Sequence, residues 1–212
     1  VFPTAFKHSV VISIPKKSPP PATTTPNMLC PIALLPTLGK LFDRVVHAKL
    51  TDLNNLHESQ YGFRSGLSCD ECNSYRLGVI EDGIEGDHTG TASALDVTGA
   101  FNYLSPEALM RTCRNLGIPP RESCLIISYV TERTAELEYQ GSVSRGPTFC
   151  PAPQGGISSP AVLNMILASL TREAINRVTP LSNVYPSLRH DVSSYADDFL
   201  IILFADVPIS TL

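Results

Sequence analysis

The sequence predicts a mixed α+β fold. Three observations carry this expectation. Short apolar stretches, residues 7–15 and 92–97 among them, have the length and composition of strands. Between them lie stretches with apolar residues at helical spacing, and two Ser-Pro pairs, Ser105-Pro106 and Ser159-Pro160, that mark helix starts. Near the C-terminus an apolar, β-prone run is interrupted by adjacent carboxylates, Asp197 and Asp198.

In chain order, residues 7–15 read as a strand. The Pro- and Thr-rich stretch 16–27 is too poor in apolar residues to pack and reads as an exposed loop. A second apolar stretch covers 31–35. Leu38, Leu41, Phe42, Val45, Val46 and Leu50 recur at helical spacing, which predicts an amphipathic helix over 37–53 with Thr37 as its cap. Residues 60–66 form a glycine-punctuated loop, and 69–85 a helix. Residues 92–97 read as a short buried strand ending in an acid, Asp96. Helices follow over 105–116 and 121–131, separated by Gly117-Ile118-Pro119-Pro120. Residues 134–140 and 142–149 alternate around Gly141 as a hairpin. Ser159 caps a helix running to about residue 177. The last hairpin is expected to carry Asp197 and Asp198 at its tip, because Asp favours turns over strand interiors.

Composition bounds the function. The chain has 212 residues, 43% hydrophobic and 17% charged, enough for one domain or a domain and part of another. No break in composition divides it clearly in two. A net charge of −4 argues against nucleic-acid binding through bulk charge, though Lys16, Lys17, Arg64, Arg111 and Arg114 could supply a local basic track. Tryptophan is absent and aromatics are 7%, so aromatic stacking is not a theme. The six cysteines lack paired zinc spacing: Cys69-x-x-Cys72 has neither a second pair nor a following His pattern, and a reducing intracellular compartment fits better. No leader and no bilayer-length apolar run is read, so no membrane partner is expected.

The candidate chemistry lies in the acids. Adjacent carboxylates repel, and a divalent cation held by hard oxygens relieves that repulsion. Asp96, at a strand end, is costly to bury unless paired or metal-bound. Together Asp96, Asp197 and Asp198 could hold two metals about 3.5–4 Å apart, an arrangement suited to phosphoryl transfer. Gln154-Gly155-Gly156 lies just before a helix N-terminus, where backbone can approach a ligand and unpaired N–H groups are offered.

Six motifs stand in order: the Lys16-Lys17 loop; Pro31-Ile32-Ala33-Leu34-Leu35; Gln60-Tyr61-Gly62-Phe63-Arg64; Asp96-Val97-Thr98-Gly99-Ala100-Phe101; Gln154-Gly155-Gly156-Ile157-Ser158-Ser159-Pro160; and Tyr195-Ala196-Asp197-Asp198. Over almost its whole length the chain closely resembles the reverse transcriptase of LINE-type (non-LTR) retrotransposons. The resemblance implies the fingers and palm of a right-hand polymerase, with an antiparallel palm sheet backed by helices and the thumb missing. Residues 1–92 would be mainly fingers, 93–104 and 150–212 palm, and 105–149 intervening elements. It implies an RNA-directed DNA polymerase that adds dNTPs to a DNA primer 3′-hydroxyl on an RNA template with two Mg²⁺ ions, Mn²⁺ being the alternative.

By position, Asp96, Asp197 and Asp198 match the catalytic, metal-binding acids. Phe101 matches the bulky residue that blocks a 2′-hydroxyl. Gln154 and Gly155 would lie by the incoming nucleotide, and Lys16 or Lys17 would contact its triphosphate. Arg64 would lie near the template strand, and Arg64 and Tyr195 would contact the nucleic acid. A thumb and an endonuclease are expected on the same polyprotein, and the intact element would work in nucleus and cytoplasm.

Two positions depart from the family pattern. Cys30 stands where an Arg is usual, and a thiol cannot replace a fixed cation. Asn102 stands where Asp is frequent. These departures, with the short length, keep a second reading open: an inactive, truncated or domesticated nucleic-acid-binding remnant. A viral-type RNA-directed RNA polymerase fits poorly, since such enzymes usually carry Gly before the paired acids and a polar residue in place of Phe101.

Overall fold

The structure, a computed structural model, describes residues 1–16, 25, 28–53, 56–86, 88–101, 104–139, 141–148, 152–185 and 187–205. The chain forms two compact units, each made of two stretches: Val1–Asn54 with Gly99–Leu163, and Asn55–Thr98 with Asn164–Leu212.

The first unit holds a four-stranded sheet. Strand β1 (His8–Pro15) pairs antiparallel with β2 (Leu29–Leu34) and parallel with β4 (Thr134–Tyr139), and β4 turns back into β5 (Ser142–Pro147). Gly141 makes the β4–β5 turn at φ 80°, a conformation that a Cβ disfavours. Helices α1 (Thr37–Leu53), α3 (Pro106–Asn115) and α4 (Pro120–Val130) complete the unit together with the first turn of α5 (Ser159–Val184). Ser105 caps α3 by accepting from Ala108 N–H, and Pro106 occupies the first turn, where no donor is needed. Phe2 is the hub of the core, edge-on to Phe42 at 5.3 Å and to Tyr129 at 5.1 Å.

Helix α1 stands where the apolar spacing puts it, but only part of the expected stripe, Val46 and Leu50, is buried. Leu38, Leu41 and Val45 are exposed, and the inward stripe is Gly39, Asp43, Val46 and Leu50. The reason is Asp43. Its carboxylate accepts from the main-chain N–H of Ile157 at 2.7 Å and of Ser158 at 3.2 Å, and from the Ser158 hydroxyl. These donors sit at the approach to α5, so a buried acid from α1 caps a helix more than a hundred residues away. Tyr129 closes the group, its hydroxyl 3.4 Å from Asp43 and 3.0 Å from Ser159 Oγ. Burial, then the Asp43 charge, hold that phenol well above its ordinary range.

The second unit holds an antiparallel three-stranded sheet in the order β3 (Thr89–Asp96), β7 (Asp198–Ala205), β6 (Leu188–Tyr195). Helix α2 (Cys69–Glu85) opens with a reciprocal capping box between Ser68 and Glu71. It packs on β6 through Tyr75, which donates to Asp191, and Arg76, whose Nε donates to Ser193 at 3.1 Å. Phe204 of β7 fills a slot between Gly83 and Gly90, where a Cβ would lie 2.2 and 2.6 Å from its ring. The rest of α5 supplies Met165, Leu167, Ala168 and Thr171, all buried.

Two expectations need correction here. Strand β3 is exposed at every residue but Thr89, not buried. It lies at the sheet edge and is built from small residues, so neither a covering layer nor side-chain bulk shields it. Helix α5 runs to Val184, past residue 177 and through Pro180. The proline removes one backbone hydrogen bond and crowds the carbonyl four residues back, and beside it Thr179 Oγ1 donates to Ile175 O at 2.8 Å. Cys30, Cys69, Cys72, Cys113 and Cys124 are free thiols. Among the described residues, no helix is long and apolar enough to cross a membrane.

Asp43→Ala would leave the Ile157 and Ser158 donors without an acceptor. The expected cost is about 2–4 kcal/mol in urea unfolding, and Asp43→Asn, which keeps one acceptor oxygen, should lose less.

Candidate active site

The acid hairpin is built by a two-residue turn. Tyr195 and Asp198 are paired, so Ala196 and Asp197 form the tip, and Asp198 is already the first residue of β7. This shifts the expected tip by one residue. A two-residue loop needs positive φ at its first position, and Ala196 takes it at 51°. That conformation costs an L-residue about 1–2 kcal/mol.

Register then brings the third acid in. Asp96, the last residue of β3, lies directly across from Asp198. Beyond it, Val97 N–H donates to the Asp197 carbonyl at 3.0 Å, extending the ladder around the turn. Asp96 and Asp198 are exposed and Asp197 is half-buried. Asp96 Oδ2 accepts from Thr98 Oγ1 at 3.1 Å. The backbone therefore gathers three carboxylates within two cross-strand steps. As placed, no three acidic, His or Cys side chains among the described residues form a group that could hold an ion. The fit to a hard divalent cation lies in the donor set and in the register, not in the side-chain rotamers.

The hairpin has a brace that the sequence reading did not single out. Residues 59–61 run alongside the end of β6. Tyr61 N–H donates to Ser194 O and Ser194 N–H to Ser59 O, both at 2.8 Å. Gly62 then passes behind the turn so closely that a Cβ there would sit 2.1 Å from Ala196 N. Asn164 of α5 donates from Nδ2 to Gly62 O at 2.8 Å, and Gln60 Nε2 donates to Asn164 O at 3.3 Å. Gln60 and Asn164 are each 2% exposed. One signal was in the sequence: Asn164 is the single polar residue in Val162-Leu163-Asn164-Met165-Ile166-Leu167, and a buried amide demands partners.

Arg64 ties the same loop from within. Its Nη1 donates to Gln60 O at 2.7 Å and His57 O at 3.1 Å, so part of the guanidinium is committed to loop structure. Tyr195, half-buried, ends β6 beside the acids.

The remaining candidates lie in the first unit. Gln154 Nε2 lies 3.4 Å from Cys30 Sγ, and Gln154 O accepts from Ala33 N–H at 2.7 Å. Gly155, at φ 120°, allows this contact: a Cβ there would meet Ala33 O at 2.6 Å. The close approach it permits is thus to strand β2. A small cavity of about 40 Å³ opens here, lined among others by Pro31, Ala33, Arg133, Pro153 and Gln154. Lys16, exposed, follows β1 and donates from its N–H to Met28 O at 2.9 Å. Phe101, half-buried, lies in the turn after β3. Lys17 and Asn102 lie outside the described residues.

Comparison with known proteins bears on the family and the fold. Residues 14–206 match the family model described as reverse transcriptase (RNA-dependent DNA polymerase). The RNA-directed DNA polymerase from mobile element jockey of Drosophila melanogaster is 25% identical over 208 residues, covering 95% of this chain and 22% of the relative. The probable RNA-directed DNA polymerase from transposon BS of the same organism is 24% identical, with 95% and 22% covered. The chain thus spans about a fifth of the length of these relatives. Among solved structures, apo telomerase from Candida tropicalis truncated from its C-terminal domain matches with TM-score 0.58 at 14% identity, over 95% of this chain and 44% of that one. Telomerase from the same yeast in complex with a TWJ fragment of telomeric RNA matches with TM-score 0.63 at 11% identity, over 97% and 37%. These likenesses speak to the fold. The matched residues take in the acid hairpin and every strand but most of β1, and the chain belongs to the reverse transcriptase (RNA-dependent DNA polymerase) family.

Proposed function

We propose that this chain carries the nucleotidyl-transfer centre of an RNA-directed DNA polymerase from a non-LTR retrotransposon, extending a DNA primer on an RNA template. The observation that carries this is the register of Asp96 with Asp198, with Asp197 held at the turn between. On this reading the β3–β7–β6 sheet serves as palm and the β2–β1–β4–β5 sheet as fingers.

Asp96, Asp197 and Asp198 would hold Mg²⁺. Bound there, the cations supply activation of the primer 3′-hydroxyl and charge stabilisation of the departing pyrophosphate. The chain's own residues do the positioning. The hairpin fixes the Asp197 main chain through Val97. Gln154 would lie beside the incoming nucleotide, Lys16 and Lys17 near its triphosphate. The Phe101 ring would exclude a ribose 2′-hydroxyl, because an aromatic ring beneath the sugar leaves no room for the added oxygen. Arg64, through its uncommitted N–H groups, and Tyr195 would face the nucleic acid.

A second reading, a folded but inactive remnant, rests on one observation. Where the family usually places an arginine, this chain has the Cys30 thiol beside the Gln154 amide. A fixed cation for the triphosphate is missing there.

The test is primer extension on an RNA template with Mg²⁺ and dNTPs, in the full reading frame containing this chain. Asp197→Asn should lower kcat by about 10³-fold or more while leaving the unfolding midpoint unchanged; full activity in that variant would remove the proposed mechanism. Cys30→Arg should lower the dNTP KM by roughly tenfold, the value of one charge-assisted contact. Phe101→Ala should raise rNTP incorporation relative to dNTP by about tenfold or more. Synthesis seen only after Cys30→Arg would favour the remnant.

A further inference from the structure

We infer that Asn164 is a positioning residue for the acid hairpin, acting through Gly62 on the Ala196–Asp197 turn. The inference rests on the reading of Asp197 as a catalytic acid given above.

The chain of contacts is short and every link is buried or main-chain. Asn164 sits on α5, where its side-chain amide donates to Gly62 O at 2.8 Å and its own carbonyl accepts from Gln60 Nε2 at 3.3 Å. Gln60 Oε1 accepts in turn from His57 N–H at 3.1 Å. One helical position thus grips both ends of the segment 60–62. That segment is bonded on its other side to Ser194, three residues from Asp197. Gly62 backs onto Ala196 with no room for a single added carbon.

The turn needs such a brace. Ala196 holds a left-handed conformation that nothing in its own chemistry favours. A relaxation at Ala196 would move the Asp197 Cα, and displacements near 1 Å cost about 100-fold in rate. Simple core satisfaction could be met by any donor to Gly62 O. The paired contact to Gln60 and the wall at Ala196 instead define the position of the turn.

The experiment compares wild type, Asn164→Asp and Gln60→Glu in the full reading frame. Each substitution is equal in size and removes one N–H donor from the brace. Steady-state primer extension with oligo(dT) on poly(rA) is read alongside native-state hydrogen exchange at the amides of Tyr61, Val97 and Ser194. The expected result for Asn164→Asp is a fall in kcat of about tenfold to 100-fold, a dTTP KM within threefold, and faster exchange at these three amides while α5 stays protected. Gln60→Glu should show the same pattern more weakly. Unchanged kcat, or a loss that only tracks the folded fraction, overturns the inference. If Asn164→Asp does not fold, Gln60→Glu decides. If wild type itself is inactive, the polymerase reading fails separately, and unchanged exchange at Val97 in the variants would still overturn the brace.

Discussion

The cross-strand register between β3 and β7 is the constraint on which the rest of the second unit depends. Side chains alternate faces along a strand, so a slip of one residue would send Asp96 to the opposite side from Asp198. Two features pin the register. The two-residue turn fixes β6 against β7, and the Val97–Asp197 bond fixes β3 against that turn. Phe204, wedged between Gly83 and Gly90 at the far end of the same strand, prevents β7 from sliding. A ring six residues from Asp198 therefore helps set the register of Asp96 and Asp198.

The first unit uses the same logic with different groups. Its helix N-terminus at α5 is satisfied by a carboxylate from α1, and its glycine loop is clamped to β2 by a main-chain bond. Burying an acid is costly, and it is stable here because several donors converge on it. Helix α5 then passes from one unit into the other, offering Ser159 to the Tyr129 cluster and Asn164 to the hairpin brace.

Much of this was legible in the sequence because local signals were strong. The helices over 37–53 and 69–85, the Ser105-Pro106 start, the turn at Gly141 and the final acid hairpin were all read from spacing, caps and glycine. What failed was long-range. The buried face of α1 was read only in part, at Val46 and Leu50, because Asp43 is recruited by donors over a hundred residues away, against the hydrophobic pattern. The hairpin tip shifted by one, because alanine rather than aspartate took the positive φ. The exposure of β3 depends on its place at a sheet edge, which strand composition does not encode. Interleaved units leave no single composition break to find. The order of the motifs, however, carried the family, and two of the acids it marked, Asp96 and Asp198, are register partners across the sheet.

The exposure of β3 has a consequence for the history of such a chain. Asp96 and Asp198 are exposed, so replacing either acid removes little packing. Changes that disturbed Gly62, Asp43 or Phe204 would instead lower stability and expose the chain to proteolysis. Drift that replaced an exposed acid would pass unnoticed by any quality-control system that senses stability alone. Loss of an exposed acid would therefore leave a folded chain, so an intact fold says less about the site than intact acids do.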